Sequence, residues 1–444
     1  MNNMQDFKTF FKGKKVTVVG LGLLGKRLGD IAFLAECGAK VLVTDLKSST
    51  ELRPSLEKLR TYKNITYVLG EHRFEDFDSC DFVLKGQGVA LDSPYIKYAD
   101  SKGIPIEMDE SLFAKLAPKV KIIGVTGTRG KSTTTILIYE ILKASGMRVH
   151  LGGNVKGTAA LPLLREVKDW DVVVFELSSW QLQGFGEAKI SPQIAVFTNF
   201  MPDHMNYYGS TKLTTSKALQ KYFQDKSYIY KFQKKDDVLV LGPSMKNLVK
   251  NPKGKVINAN VKNIPKDWKI NLKGEHNLEN IACAVEVARN LKTKEVVIKK
   301  VVENFKAIPG RLELVKTIRG VDIYNDTNST TPEATIAALN SFDKKVFLIL
   351  GGMDKGLELK KLNILLLKKT KKVFLTPGSG SEKITNKKLQ VQKVTSLKEA
   401  VMEAFKQAKS GDIILFSPAF ASFNMFKNEY DRGDQFMEIV NKLK

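Results

Sequence analysis

The stretch Lys121–Ile136, KIIGVTGTRGKSTTTI, constrains this chain more than any other. Ile122–Val125 is an apolar run of strand length. Gly127, Thr128, Arg129 and Gly130 form a turn, and Lys131 and Ser132 open a helix that continues through Leu142. A strand that feeds a glycine turn and then a helix start is a phosphate cradle. Backbone N–H groups and the helix dipole converge on the anion, the lysine adds a point charge, and the hydroxyl can hold Mg²⁺. The strict pattern has glycine where Val125 stands, and here Gly127 replaces it within a shorter turn. An ordinary glycine turn is the bland alternative, but Gly-Lys-Ser at a strand–helix junction favours a nucleoside triphosphate.

A second glycine loop lies near the N-terminus. Strand Val16–Val19 runs into Gly20-Leu21-Gly22-Leu23-Leu24-Gly25 and a helix, and Asp45 ends the next strand twenty residues after Gly25. This is G-x-G-x-x-G in its proper setting, with glycines for close backbone approach and an acid for a ribose. It points to a diphosphate ligand more firmly than to a nicotinamide. Strand Phe82–Leu84 enters a further loop, Gly86-Gln87-Gly88, Gly103–Ile106 is a short last strand, and Met108–Pro118 reads as a connection.

Past the phosphate loop, Asp171–Phe175 is an apolar strand that delivers Glu176 and Ser178. A carboxylate at that strand end lies where Mg²⁺ and a γ-phosphate meet. Strand Ile194–Phe197 leads to Asp203-His204, in a chain with four histidines. A lone histidine is usually structural, but one just past a strand end suits a metal or catalytic role. Lys217 follows thirteen residues later on a helix, and by composition alone it is one of many surface lysines. Asn277 and Asn280 share a helical face and suit either a base edge or a helix cap. Later strands end in Asn325-Asp326-Thr327-Asn328, then Thr330; in Gly351–Gly356, which contains Lys355; and in Ser417–Ser422. The alternation of strand, polar loop and helix argues an α/β chain with parallel sheets and ligand groups at strand C-termini.

With 444 residues the chain has room for two to four domains. Its three cysteines form no CxxC pair, which suits a reducing cytoplasm, and no apolar run reaches membrane-spanning length. The net charge of +24 raises the question of nucleic acid, but only 11 of the 71 basic residues are arginine. The dense cluster Lys368, Lys369, Lys371, Lys372 carries no interleaved aromatics. The charge therefore reads as a solvated lysine surface that assists encounter with polyanions, with neither nucleic acid nor membrane as partner.

Taken together, GTRGKST, FELSSWQL, TNFMPDHMNYYG, GEHNLEN, PGRLE, NDTNSTTPEATIAAL, GGMDKG and SPAFASFNMFKNEYDRGDQF resemble the Mur ligase family, collinearly over nearly the whole chain. The last two motifs resemble its D-glutamate-adding branch. The resemblance implies three domains: a Rossmann-like UDP-sugar domain over 1–107, a central P-loop ATPase over 108–308, and a Rossmann-like amino-acid domain over 309–444. It implies small-molecule substrates (a UDP-N-acetylmuramoyl-L-alanine, D-glutamate and ATP), a monomer, and chemistry through an acyl phosphate.

Residue by residue, the resemblance implies that Thr128–Thr133 (Thr128, Arg129, Gly130, Lys131, Ser132, Thr133), with Gly127, hold the ATP phosphates. Ser132 and Glu176 would bind one Mg²⁺; His204 and a carbamylated Lys217 would bind a second, with Lys221 the fallback for the carbamate. Lys131, Glu176, His204 and Lys217 form the catalytic set. Gly20, Leu21, Gly22, Leu23, Gly25, Asp45, Gly86, Gly88, Asn154 and Ser178 would serve the UDP substrate. Asn277 and Asn280 would hold adenine, and Arg311 and Asp326 the nucleotide. Lys355, Ser422, Asn328 and Thr330 would hold D-glutamate. Relatives often have asparagine at Arg129, Ser-Pro-Gly at Gly86-Gln87-Gly88, and lysine at Asn328.

Three other readings compete. A dehydrogenase leaves the phosphate loop unexplained, and a nucleic-acid-dependent ATPase leaves the first hundred residues unexplained. A folylpolyglutamate synthase would share the central domain but not this N-terminal one.

Overall fold

A computed structural model describes residues 6–22, 26–155, 158–208, 215–423 and 425–444. Among the described residues, seventeen strands form three sheets. The first contains β1 (Lys15–Val19), β2 (Lys40–Asp45), β3 (Ile65–Leu69), β4 (Phe82–Lys85) and β5 (Ile106–Glu107), in the order β3-β2-β1-β4-β5. All its pairings are parallel. The second contains β6 (Lys121–Thr126), β7 (Val149–Gly153), β8 (Val172–Glu176), β9 (Ile194–Phe197), β10 (Val238–Leu241) and β11 (Lys255–Asn258), in the order β11-β10-β9-β6-β8-β7. It too is parallel. Strands β8, β9 and β10 are buried along their whole length, because helices cover both faces of a parallel sheet.

The third sheet contains β12 (Glu313–Ile318), β13 (Val321–Asn325), β14 (Val346–Leu350), β15 (Thr370–Leu375), β16 (Val391–Lys393) and β17 (Ile413–Phe416), in the order β12-β13-β17-β14-β15-β16. It is mixed: β12 runs antiparallel to β13, and the others are parallel. The rest of the sheet keeps the parallel alternation read from the sequence, and only this edge pair departs from it. The cause is local. Ile318 pairs with Val321 across a two-residue turn, Arg319-Gly320, with φ of 51° and 74°. Two left-handed residues match the twist of a tight hairpin, which only antiparallel strands can use.

The edge strands β11, β12 and β16 have no continuous apolar run, and none was foreseen. Met108–Pro118 is also more than a connection. It contains a helix, Asp109–Leu116, whose first five residues are buried, and its Glu110 accepts a hydrogen bond from Gln181.

The chain divides into two compact units, one of residues 1–265 with 280–301 and the other of residues 266–279 with 302–444. The first unit holds two sheets, and its largest apolar core runs continuously through both. Polar ties reinforce that junction: the Asp30 carboxylate accepts from the Leu161 amide at 3.0 Å, and Arg165 pairs with Glu36 at 2.5 Å. The second unit has cores on both faces of its sheet.

Candidate active site

Strand register builds the centre of the site. Val125 of β6 lies level with Glu176 of β8, and Thr126 with Phe197 of β9. The three loops that follow therefore open at one edge of the sheet: residues 127–130, 177–178 and 198–204. Gly130, at φ 80°, caps helix Lys131–Ala144, and Gly127 adopts φ 150°. A Cβ on Gly127 would strike the Thr198 hydroxyl, and one on Gly130 the Asn280 side-chain amide. Glycine is required at both places by backbone and by space.

The loop is clamped from outside. Asn199 accepts from the Arg129 amide at 2.8 Å and returns a hydrogen bond to the Arg129 carbonyl at 3.2 Å. The Thr198 hydroxyl donates to that same carbonyl at 2.6 Å, and the Thr128 hydroxyl to Met201 O at 3.0 Å. Lys131 folds back, its Nζ donating to the carbonyls of Gly127 (3.0 Å) and Thr128 (3.1 Å). The Arg129 guanidinium pairs with Asp203 at 3.2 Å.

Glu176 is 2% exposed. Its Oε1 accepts from Asn154 Nδ2 at 3.2 Å, while Oε2 is buried without a hydrogen-bond partner. An orphaned buried carboxylate oxygen costs free energy unless a cation or donor meets it. Beside a phosphate cradle that oxygen fits the hard oxygen coordination of Mg²⁺, with Ser132 able to supply a second oxygen. Among the described residues no three His, Cys, Asp or Glu side chains gather as a metal cluster.

His204 stands in the left-handed region at φ 57°. Its amide donates to Asp203 Oδ1 at 2.8 Å, and its ring packs 4.6 Å from Trp180 and 6.0 Å from Tyr222. A non-glycine residue stays in that region only where its neighbours hold it there. Lys217 and Lys221 lie on the exposed face of helix Thr215–Lys231. The inward face carries Ala218, Tyr222, Asp225 and Lys226.

At the first glycine loop, φ is 87° at Gly20 and 71° at Gly22; Leu23 and Gly25 lie outside the described residues. Asp45 Oδ2 accepts from the amide of Leu21 at 2.8 Å, and Oδ1 from the amide of Lys47 at 2.9 Å. The chain's own carboxylate thus holds a loop amide. Gly86 and Gly88 follow Lys85, a lysine missed in the sequence. Lys85 is completely buried and donates to Val89 O at 2.7 Å. Burial, with Arg27 nearby, lowers its pKa to about 8. Ser178 caps helix Ser179–Glu187 and accepts from the Gln181 amide at 3.2 Å. Asn154 donates its backbone N–H to Glu176 O at 2.7 Å.

Asn277 and Asn280 fall on either side of the division between the two units. Asn277 Nδ2 donates to Lys273 O at 2.8 Å, whereas Asn280 packs over Gly130. In the second unit, Asn325 and Ile349 are both level with Phe416, so the loops after β13, β14 and β17 share one edge. Asp326 is buried and accepts from Ser329 (2.5 Å), Ser417 (2.8 Å) and the Leu312 amide (3.0 Å), next to Arg311. Burial outweighs these bonds and raises its pKa to about 6. Lys355 Nζ donates to the Thr330 hydroxyl at 3.2 Å, and Asn328 Nδ2 to Pro309 O at 3.3 Å. Ser422 is buried.

Arg432 was also missed. It is 2% exposed and donates to Thr327 O at 2.7 Å and Phe420 O at 3.1 Å, tying two of the loops together. Burial lowers its pKa to about 10. It stood within the motif EYDRGDQF, but nothing local marked it as buried.

A glycine-turned loop between a buried parallel strand and a helix start, with a buried carboxylate on the neighbouring strand, defines a P-loop nucleotide-binding protein. The chain belongs to the Mur ligase family. Residues 14–107 match the family's MurD-like N-terminal domain, 125–262 its middle domain, and 310–420 its glutamate ligase domain. It is 34% identical over 478 aligned residues, 99% of each chain, to the UDP-N-acetylmuramoylalanine–D-glutamate ligase of Acetivibrio thermocellus. It is 35% identical over 460 residues to the protein of that name from Koribacter versatilis, covering 97% of this chain and 98% of that one. Among solved structures it resembles the UDP-N-acetylmuramate-alanine ligase MurC of Thermotoga maritima. The TM-score is 0.61 at 18% identity, over 97% of this chain and all of that one. The MurF ligase of Thermotoga maritima, solved with ADP, gives 0.60 at 20% identity over 90% and 94%. These last two bear on the fold.

Proposed function

We propose that this chain is the ATP-dependent ligase that adds D-glutamate to UDP-N-acetylmuramoyl-L-alanine in peptidoglycan precursor synthesis in the cytoplasm. The observation that carries this reading is the full-length 34% identity to ligases of that name. The phosphate loop and Glu176 supply chemistry that fits it. No helix among the described residues is long and apolar enough to cross a membrane. We assign residues 1–107 to the UDP substrate, 108–308 to ATP and 309–444 to the amino acid.

In this reading the substrate carboxylate attacks the γ-phosphorus of ATP, ADP leaves, and an acyl phosphate forms. The amine of D-glutamate then attacks the acyl carbon. The tetrahedral adduct loses a proton and expels phosphate, and an amide results. Two anions must meet in the first step, so the cost is electrostatic. Lys131 leaves the Gly127 and Thr128 carbonyls for the phosphate, and the loop amides of 128–133 orient it. Glu176 and Ser132 would hold a first Mg²⁺, and His204 with a carbamylated Lys217 or Lys221 would hold a second. Bound Mg²⁺ would neutralise developing negative charge. Lys217 and Lys221 both lie on the exposed face of their helix. Asn277, Asn280, Arg311 and Asp326 serve the nucleotide. Gly20–Gly25, Asp45, Gly86, Gly88, Asn154 and Ser178 serve the UDP substrate. Lys355, Thr330, Asn328 and Ser422 serve D-glutamate.

The test is phosphate release from ATP with each substrate omitted in turn. Release should require both UDP-N-acetylmuramoyl-L-alanine and D-glutamate, and Lys131→Ala should abolish it. Preference for L-lysine, diaminopimelate or L-alanine would overturn the D-glutamate assignment and leave the ligase chemistry standing. Tight binding of NADH in place of the UDP-sugar would overturn the assignment of Gly20–Gly25.

A further inference from the structure

Between the two sheets of the first unit runs a buried polar chain that no step of the ligase reading uses. It begins at the inner end of β4. The Lys85 ammonium donates to Val89 O at 2.7 Å and to Gly86 O at 3.4 Å, and so holds the loop assigned to the UDP substrate from within. It also donates, at 3.4 Å, to Gln183 Oε1 on helix Ser179–Glu187, which begins three residues after Glu176. The other end of that amide faces away from the loop. Gln183 Nε2 donates to Asp225 Oδ2 at 2.8 Å and to the Tyr207 hydroxyl at 3.5 Å. The Tyr208 hydroxyl donates to the same Asp225 oxygen at 2.9 Å. Both tyrosines belong to the turn that closes on His204, whose carbonyl accepts from the Tyr207 amide at 2.9 Å and the Tyr208 amide at 3.1 Å. Lys85, Gln183, Asp225 and Tyr208 thus connect the UDP loop with the residue held at φ 57°.

The chain is dry. Lys85 is 0%, Gln183 3%, Asp225 6% and Tyr208 1% exposed, so bulk water cannot replace a lost partner. An amide between a buried cation and a buried carboxylate has one favourable orientation: its oxygen faces Lys85 and its NH₂ group faces Asp225. Burial and then Arg27 lower the Lys85 pKa to about 8, and Asp225 and then Asp109 oppose that fall. The reaction needs the two ends of the chain in register. The first sheet holds the UDP end of the substrate, while the substrate carboxylate must meet the γ-phosphate at the second. A misplacement of about 1 Å there costs about a hundredfold in rate. We propose that Gln183 is a positioning residue of the ligase reaction: through Lys85 on one side and Asp225 with Tyr208 on the other, it keeps the UDP-substrate loop in register with the His204 turn.

The inference rests on the UDP-sugar reading of the Gly86–Gly88 loop. Calorimetric titration of the full-length wild-type protein with UDP-N-acetylmuramoyl-L-alanine tests that reading by itself, and absence of binding overturns both. Where the wild type binds, Gln183→Met keeps the side-chain length and removes both ends of the amide. It should lower kcat about tenfold and raise KM for the UDP-sugar about tenfold. KM for ATP and for D-glutamate, and the affinity for a non-hydrolysable ATP analogue, should stay within about twofold. Lys85→Met should act alike, and the double variant should be no worse than the more damaged single, because the two residues serve one chain. Gln183→Glu keeps the acceptor for Lys85 and loses the donor to Asp225, so kcat should fall while KM for the UDP-sugar holds. A purely structural strut would lower the unfolding temperature and the active fraction, which moves kcat and leaves every KM in place. Wild-type kinetics in folded Gln183→Met, a loss of kcat in it without a change in KM for the UDP-sugar, an equal rise in all three KM values, or additive losses in the double variant would overturn the proposal. If Gln183→Met does not fold, Lys85→Met and Gln183→Glu decide it by the same split.

Discussion

Asp326 gives the sharpest quantitative expectation. Three donors surround its carboxylate: Ser329, Ser417 and the Leu312 amide. Each alone would lower its pKa, and Arg311 lowers it too. Burial outweighs them all, and the group moves from 3.8 up to about 6. A shift of about two units corresponds to roughly 3 kcal/mol between the protonation states. The folded pKa is raised, so the folded chain holds this proton more tightly than the unfolded one does. The stabilisation is fully present below the unfolded pKa near 3.8 and is lost as pH rises through about 6. Asp326→Asn removes the titration; its amide keeps an acceptor for Leu312 N–H, and both serine hydroxyls can turn to accept. Urea unfolding of the two proteins, followed through Trp268 in the same unit with the other tryptophans replaced, should show it. The stability of wild type relative to Asp326→Asn should fall by about 2.5 kcal/mol between pH 4 and pH 7. Other titrating groups cancel in that difference. A difference flat across the range, or a carboxyl ¹³C titration of Asp326 with its midpoint near 4, would refute the claim that burial wins.

Other expectations follow from single geometric facts. Glu176→Gln keeps the shape and the Asn154 bond but removes the anion, so Mg²⁺-dependent ATP turnover should drop at least about a hundredfold, while analogue binding in EDTA holds; unchanged turnover would sink the metal assignment. Gly130→Ala puts a side chain at φ 80° against the Asn280 amide and should destabilise the protein by about 1–3 kcal/mol, read as a fall in unfolding temperature. Lys355→Ala removes the cation beside Thr330 and should raise KM for D-glutamate about tenfold or more, with KM for ATP nearly constant. Asn328→Lys should lower KM for D-glutamate, and a rise would argue that Asn328 orients the loop through Pro309.

The phosphate loop was legible because its determinants are local. A buried strand shows as an apolar run, and a forced left-handed turn shows as glycine. Delivery of Glu176 was legible for the same reason: Asp171–Phe175 is almost wholly apolar, so its end had to emerge at a sheet edge. The hairpin β12–β13 was not legible. Glu313–Ile318 is an edge strand in which exposed residues interrupt the pattern, and its turn is made by Arg319-Gly320, without the Asn-Gly or Asp-Gly signal of a tight hairpin. Asp45 shows a different limit. Its spacing from the glycines was visible, but an acid at that spacing suits a ribose and the loop's own amides equally well, and only the folded loop brings it onto Leu21 N–H.

The lysines mark where composition obscured a signal that was present. Many lysines scatter over the surface, so each one carries little information alone. Helical phase carries more. Ala218, Tyr222, Asp225 and Ile229 recur at spacings of three and four and define the inward face of their helix. Lys226 follows Tyr222 by four residues and falls on that face, whereas Lys217 and Lys221 fall off it. A lysine on an apolar stripe must find partners or lose its proton, because an unpaired buried ammonium is too costly to keep. Such a residue is therefore tied to a built polar site. Lys85, at the inner end of a fully buried strand, meets the same requirement by binding Val89 O. Arg432 meets it by binding Thr327 O and Phe420 O. In each case the cation ends on backbone carbonyls of a loop at a strand C-terminus. Burial of these charges is thus coupled to the shape of the loops that face ligand, which is why their substitution should disturb binding before it disturbs the sheets.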